Sequence, residues 1–233
     1  MTKRKNVDDV TSNIPGSDGQ SRKYGMSTLA VHAGARPDPV TGARGTPIYQ
    51  TTSFVFDDAE HGAELFNLQT FGYVYSRMTN PTVSVFEERV AQLEGGRGAV
   101  ATSSGHAAQF IAAATLMEAG DEFIASRNLY GGSVTQFGVS FPKLGWKCNF
   151  VDPTDPENFE KAMNDKVKFI FCEGVANPGG IILDLEKIAD IAHKHGVLLI
   201  VDNTLASPYL LRPFEWGADL VVHSTTKFIG GHG

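Results

Sequence analysis

The stretch DLEKIADIAHKHGVLLIVDNT, residues 184–204, changes its hydrophobic period halfway along. In its first half Leu185, Ile188, Ala189 and Ala192 fall on one helical face, and Gly196 marks the stop. In its second half VLLIVD, residues 197–202, is apolar at nearly every position. A strand of that kind is covered on both faces, because a half-open strand would alternate apolar with polar residues. A helix running straight into such a strand predicts an α/β fold, a mostly parallel sheet with helices on both faces.

Runs of the same character stand on either side: GAVAT (98–102), EFIAS (122–126), KCNFVD (147–152), KFIFCE (168–173) and DLVVH (219–223). The first regular element is a helix within NPTVSVFEERVAQLEGG, residues 80–96. Asn80 can cap it, Pro81 suits its first turn, and Val83, Phe86, Val90 and Leu93 recur at helical spacing before Gly95 and Gly96 end it. Upstream the periodicity fades. Residues 1–25 are polar, with scattered Gly, Pro and Ser, and read as a flexible N-terminal tail. Residues 26–80 read as an irregular arm, extended around GARGTPIYQTTSF, and 81–233 as the main α/β domain.

The totals exclude several classes. A net charge of −6 over 233 residues gives no bulk attraction to nucleic acid or to an anionic membrane. No apolar stretch is long enough to cross a bilayer, and the N-terminus lacks the apolar core of a signal peptide. Asp8 and Asp9 argue against a transit peptide. The two cysteines, Cys148 and Cys172, sit in apolar runs without metal spacing, so buried thiols in a reducing, cytoplasmic setting are expected.

In parallel sheets ligands bind beyond the carboxyl ends of the strands, so the residues found there carry the functional reading. Ser103, Ser104, Gly105 and His106 follow the run at 98–102 and open a helix, whose N-terminus offers N–H groups to an anion. Tyr130 and two glycines follow 122–126, Asn177 sits in a Pro/Gly turn after 168–173, and Asp202 closes 197–202. Ser224, Thr225, Thr226 and Lys227 follow 219–223. Each has a plainer reading. Asp202 suits a helix cap, Tyr130 a core or surface aromatic, Lys227 a surface lysine, and His193, His195 and His232 solvated side chains.

Together they suit one chemistry, that of pyridoxal 5'-phosphate (PLP). A lysine amine can form a Schiff base with the cofactor aldehyde. A carboxylate keeps the pyridine nitrogen protonated, and an aromatic covers the ring. Hydroxyls and a helix N-terminus satisfy the phosphate. Metal-ligand spacing is absent, and TSSGHAAQ (102–109) does not supply the GxGxxG of a dinucleotide site.

The segments YSRMTNPT (75–82), SSGHAA (103–108), NLYGG (128–132), ANPGG (176–180), VDNTLASPYL (201–210) and VVHSTTKFIGGHG (221–233) resemble the Cys/Met-metabolism family of PLP-dependent enzymes. The likeness runs from about residue 26 to the last residue. It implies the aspartate-aminotransferase-like fold, with Lys227 as the Schiff-base lysine and Asp202 on the pyridine nitrogen. It also implies Tyr130 stacked on the ring, assisting proton transfer, and Asn177 near the phenolic oxygen. Gly105, His106, Ser224 and Thr226 would hold the phosphate. Tyr75 and Arg77, in the arm, would reach the phosphate of a neighbouring subunit, which implies a homo-oligomer, commonly a dimer of dimers. An arginine there offers a bidentate, permanently charged clamp.

Within the family, LFNLQTFGYVYSR (65–77), FVDPTDPENFEKAM (150–163) and the NPGG turn look like O-acetylhomoserine sulfhydrylases. The implied reaction is γ-replacement of acetate on O-acetyl-L-homoserine by sulfide or a thiol. The alternatives are a cystathionine γ-synthase or methionine γ-lyase, which share every cofactor residue named, or a PLP-binding fragment without turnover. His106, Gly174 and Thr225 depart from the commonest family residues. The larger departure is at Gly233: relatives continue into a C-terminal domain whose arginine grips the substrate carboxylate, and this chain holds no counterpart of that motif.

Overall fold

Five of the six predicted apolar runs pair in one sheet. The computed structural model describes residues 12–15 and 21–232. Numbered along the chain, the sheet strands are β3 (Glu122–Ser126), β4 (Lys147–Val151), β5 (Val167–Glu173), β6 (Leu198–Asp202) and β7 (Leu220–Val222). They lie in the order β4-β3-β5-β6-β7, and every neighbouring pair is parallel. The first strand in sequence is therefore internal. The connection to β4 goes one way and that to β5 the other, so the strand order reverses about β3.

The pleat sends alternate residues to opposite faces. Ile124, Ile170, Cys172, Leu199 and Val201 pack with Leu185, Ile188, Ala189 and Ala192 of helix α7 (Leu185–Lys194), the four positions read as its buried face. Phe123, Ala125, Phe169, Phe171 and Ile200 pack on the other side with Phe137, Phe141, Trp146 and Ala113. This second layer is a stack of rings, with Phe123 and Phe169 parallel at 4.7 Å and Phe123 and Phe137 edge-on at 5.1 Å. Ala113 belongs to α4 (Gly105–Leu116). Three short helices, α5 (Gly131–Thr135), α6 (Glu157–Lys161) and α8 (Ser207–Leu210), complete the connections.

The chain divides into two units, Met1–Ala101 and Thr102–Gly233. The first holds α1 (Met26–His32), α2 (Ala59–Phe66) and α3 (Pro81–Glu94). Helix α3 has the bounds its sequence signals require: Asn80 accepts from the Thr82 N–H, and Gly95 ends it in the left-handed region at φ 76°. Of the apolar positions expected to pack, Val83 and Phe86 are 41% and 39% exposed, while Ala91 and Glu94 are the buried ones. Strands β1 (Ser12–Pro15) and β2 (Ser21–Tyr24) form an antiparallel pair within the segment read as a tail. The rest of that reading, residues 1–11 and 16–20, and also Gly233, lie outside the described residues.

One predicted strand is corrected. Residues 98–102 have no regular secondary structure. A strand exists by pairing, and this one has no ladder partner among the described residues. Its central Val100 is 81% exposed, so no apolar layer covers it. Among the described residues no helix is long and apolar enough to cross a membrane.

Candidate functional site

The carboxyl ends of β3, β5, β6 and β7 open on a cavity of about 500 Å³, within the range of small-molecule sites. It is lined by Gly105 and His106 of α4, Tyr130 beyond β3, Asn177 beyond β5, Asp202 at the end of β6, and Ser224, Thr226 and Lys227 beyond β7. All eight residues read from strand ends in the second unit therefore meet at one place. Tyr75 and Arg77 belong to the first unit and are not among the lining residues. There Tyr75 bridges to Ser53, and the Arg77 guanidinium carbon lies 5.7 Å from the centroid of the Tyr75 ring.

At one wall Ser104 caps α4, its hydroxyl accepting the Ala107 N–H at 3.1 Å. That leaves the N–H groups of Gly105 and His106 in the first turn, where a helix offers no internal acceptor. Gly105 lies so close to Ser224 that an added Cβ would stand 2.9 Å from the Ser224 Cβ and 3.2 Å from its Cα. The tight approach sets the start of α4 against Ser224, and Thr226 lines the same cavity. Ser224 is held in turn by its own N–H, which donates to Thr204 Oγ1 at 2.8 Å. Free N–H groups, two hydroxyl-bearing side chains and the positive end of a helix on one cavity are the kind of groups that suit an anion.

Asp202 is not a helix cap. Its Oδ1 accepts the Thr204 N–H at 2.9 Å and its Oδ2 accepts from Gln109 Nε2 at 3.0 Å, while the next helix starts at Ser207 with Ala206 at its N-cap position and no side-chain cap. Gln109 is buried and also donates to Ser133 Oγ at 3.0 Å, so the carboxylate is aimed from behind. Tyr130 presents a half-exposed ring stacked on His106, with centroids 5.8 Å apart and planes 27° apart. Lys227 is exposed at the rim, its backbone turned by a Lys227 N–H to Ser224 carbonyl bond of 3.3 Å. An anion receptor, a carboxylate, a ring face and an amine thus fit a flat, phosphate-bearing aromatic with an amine-reactive group. The donor set of pyridoxal phosphate matches each of these four.

Two buried polar lining residues escaped the sequence reading. Glu173 closes β5 and is only 5% exposed. Its Oε1 accepts the Tyr130 N–H at 2.6 Å and its Oε2 the Asn177 N–H at 2.9 Å. Burial, with the nearby Asp202 charge adding, pushes its pKa up to about 7 despite those two bonds. The usable signal was a glutamate ending the mostly apolar VKFIFCE, since such residues are almost never buried without a partner. Gln109 gave only the weaker signal of an amide in an alanine-rich helix. Of the cysteines, Cys172 is buried and Cys148 half-buried; both are free, and desolvation raises both thiols.

Comparison with known proteins agrees with this arrangement. A family model described as Cys/Met metabolism PLP-dependent enzyme matches residues 27–233. An O-acetyl-L-homoserine sulfhydrylase of Leptospira meyeri is 50% identical over 219 residues, covering 94% of this chain and 50% of its own. A Thermus thermophilus protein named O-acetyl-L-homoserine sulfhydrylase 1 is 51% identical over 210 residues, 89% of this chain and 50% of its own. A Campylobacter jejuni structure named for an O-acetylhomoserine (thiol)-lyase, with a pyridoxyl-lysine phosphate, superposes with a TM-score of 0.87 at 38% identity. That match covers 90% of this chain and 52% of the other. The chain spans about half the length of the relatives it matches.

Proposed function

The chain belongs to the Cys/Met-metabolism family of PLP-dependent enzymes, and from that premise we propose that its protein carries out a γ-replacement on O-acetyl-L-homoserine. Acetate leaves from Cγ, sulfide or a thiol adds there, and the product with sulfide is L-homocysteine. The observation that carries this reading is the meeting of Lys227, Asp202, Tyr130 and the α4 N-terminus around one cavity, in a chain half identical to named sulfhydrylases.

In this reading pyridoxal phosphate supplies an aldehyde that captures amines and a protonated ring that draws electrons from the carbon beside the captured nitrogen. Gly105 and His106 N–H groups with the Ser224 and Thr226 hydroxyls hold its phosphate. Asp202, oriented by Gln109, keeps the ring nitrogen protonated. Tyr130 covers the ring face, and Asn177 donates toward the phenolic oxygen. Lys227 would hold the cofactor through its amine, and that amine, when free, would move protons at substrate Cα and Cβ. Tyr130 assists that transfer. Tyr75 and Arg77 act on the phosphate of a neighbouring subunit, making the working form a homo-oligomer, a dimer of dimers. A reducing cytoplasm suits the two free, desolvated thiols.

Borohydride reduction followed by peptide mapping tests the cofactor assignment. A pyridoxyl group is expected on Lys227, and a label on another lysine would sink it. Acetate release from O-acetylhomoserine with sulfide, set against α-ketobutyrate release from methionine, tests the reaction; turnover of methionine alone would overturn the sulfhydrylase assignment.

A further inference from the structure

The apolar strand VKFIFCE ends on a carboxylate that the reaction above does not use. Glu173 lies opposite Asp202 in the β5–β6 register, so two acidic side chains stand side by side at the floor of the cavity. Like charges on paired strands oppose each other, and burial penalises the ionised form of Glu173. A fold keeps such an arrangement only if the second carboxylate has work that an apolar residue could not do.

The work is visible in its two bonds. Oε1 takes the N–H of Tyr130, in the turn between β3 and α5, and Oε2 takes the N–H of Asn177, in the turn after β5. These turns belong to different connections. The Tyr130 turn is closed on its far side by Ser133 and Val134 donating to the Tyr130 carbonyl at 2.9 and 3.1 Å. The Asn177 turn is closed by Ala176 donating to Ile181 and Gly180 donating to Ala176, both at 2.9 Å. Each turn is thus complete in itself, and the Glu173 carboxylate joins one to the other. We propose that Glu173 is a positioning residue, a two-oxygen clasp that sets the Tyr130 ring and the Asn177 amide at a fixed separation across the cavity. The cofactor roles of Tyr130 and Asn177 rest on the functional reading above, but the clasp itself does not.

A glutamate carboxyl has two oxygens at the right spacing to accept two N–H donors from two turns. Glutamine of the same size offers one carbonyl and sets an NH2 against the other N–H. Aspartate keeps both oxygens but is too short to span the two turns. The other titratable groups lining the cavity are Asp202 of β6, His106 of α4, Tyr130 itself, and Lys227 and His232 of the last segment.

The test compares Glu173→Gln and Glu173→Asp with the parent protein by amide hydrogen exchange at Tyr130 and Asn177, and by circular dichroism and retention of added pyridoxal phosphate. Exchange at one or both amides should quicken by at least about tenfold in each variant, because a buried N–H loses its acceptor. The cofactor dichroism should change shape and its dissociation constant rise by about tenfold. Unchanged protection of both amides in either folded variant would overturn the clasp. Lost protection with parental dichroism and retention would reduce Glu173 to a structural tie and overturn the positioning role. A parent protein that retains no pyridoxal phosphate would instead defeat the functional reading, and the exchange measurement would still decide the clasp. If Glu173→Gln does not fold, the aspartate variant carries the same comparison.

Discussion

Gly105 shows how much of the site hangs on one missing methyl group. A Cβ there meets the backbone and Cβ of Ser224 rather than the end of a flexible chain, so the two turns would have to part. Gly105→Ala is expected to cost about 1–3 kcal/mol as overpacking, measured by urea unfolding, and to weaken pyridoxal phosphate retention by tenfold or more. Glu173 gives a second expectation, in pH. Its folded pKa of about 7 lies above the 4.5 of an ordinary glutamate, with burial the main cause. Between those values the folded chain keeps a proton that the unfolded chain has released. The group's contribution to stability is therefore complete below about pH 4.5, declines as pH rises, and levels off above about 7. Urea midpoints of the parent relative to Glu173→Gln should fall across that window; a flat or rising difference would contradict it. Lys227 and Asp202 could be picked out as candidates because Asp202 ends one apolar run and Lys227 closely follows another. Glu173 and Gln109 could not, because their partners are supplied by other segments and leave no local pattern.

At the scale of elements, legibility followed local signals. Helix α7 shows its buried face in four apolar positions, and α3 shows its start in Asn80 and its end in Gly95. The run at 98–102 has strand composition but no paired neighbour among the described residues, and composition alone does not make a ladder. The exposure of Val83 and Phe86 has the same origin, since periodicity locates an apolar face but not what covers it. Asn80 does more than cap. Its Nδ2 also donates to the Tyr49 carbonyl at 3.0 Å and to Ser76 Oγ at 2.9 Å, fastening the arm to the start of α3. Asn80→Ala is expected to lose about 1–2 kcal/mol, at the upper end for a cap, and to quicken amide exchange at Thr82. A loss within a few tenths of a kcal/mol, by urea unfolding, would show that the arm is held by other contacts.

At the scale of the molecule, the chain's second unit carries the cavity and its first unit carries Tyr75 and Arg77. The proposed role of Arg77 is exercised between subunits, so its loss should be felt in assembly as well as in ligand binding. Arg77→Ala is expected to lower the mass seen by light scattering at low protein concentration and to weaken pyridoxal phosphate retention about tenfold. Unchanged affinity would remove the cross-subunit role. The sheet order was beyond the reach of the sequence, because near-continuous apolar strands declare burial on both faces without naming their neighbours.

The close approach of Gly105 to Ser224 also sets a timetable. One side of that contact opens the second unit and the other follows β7, the last of its strands, so the contact has nearly the greatest sequence separation the unit allows. Long-range closures of this kind form late, after the local ones have paid their loop entropy. A chain emerging from the ribosome therefore completes its helices and most of its sheet before the anion receptor exists. In the proposed reading, ligand capture then waits on that closure, and a chain cut before Ser224 cannot pass it.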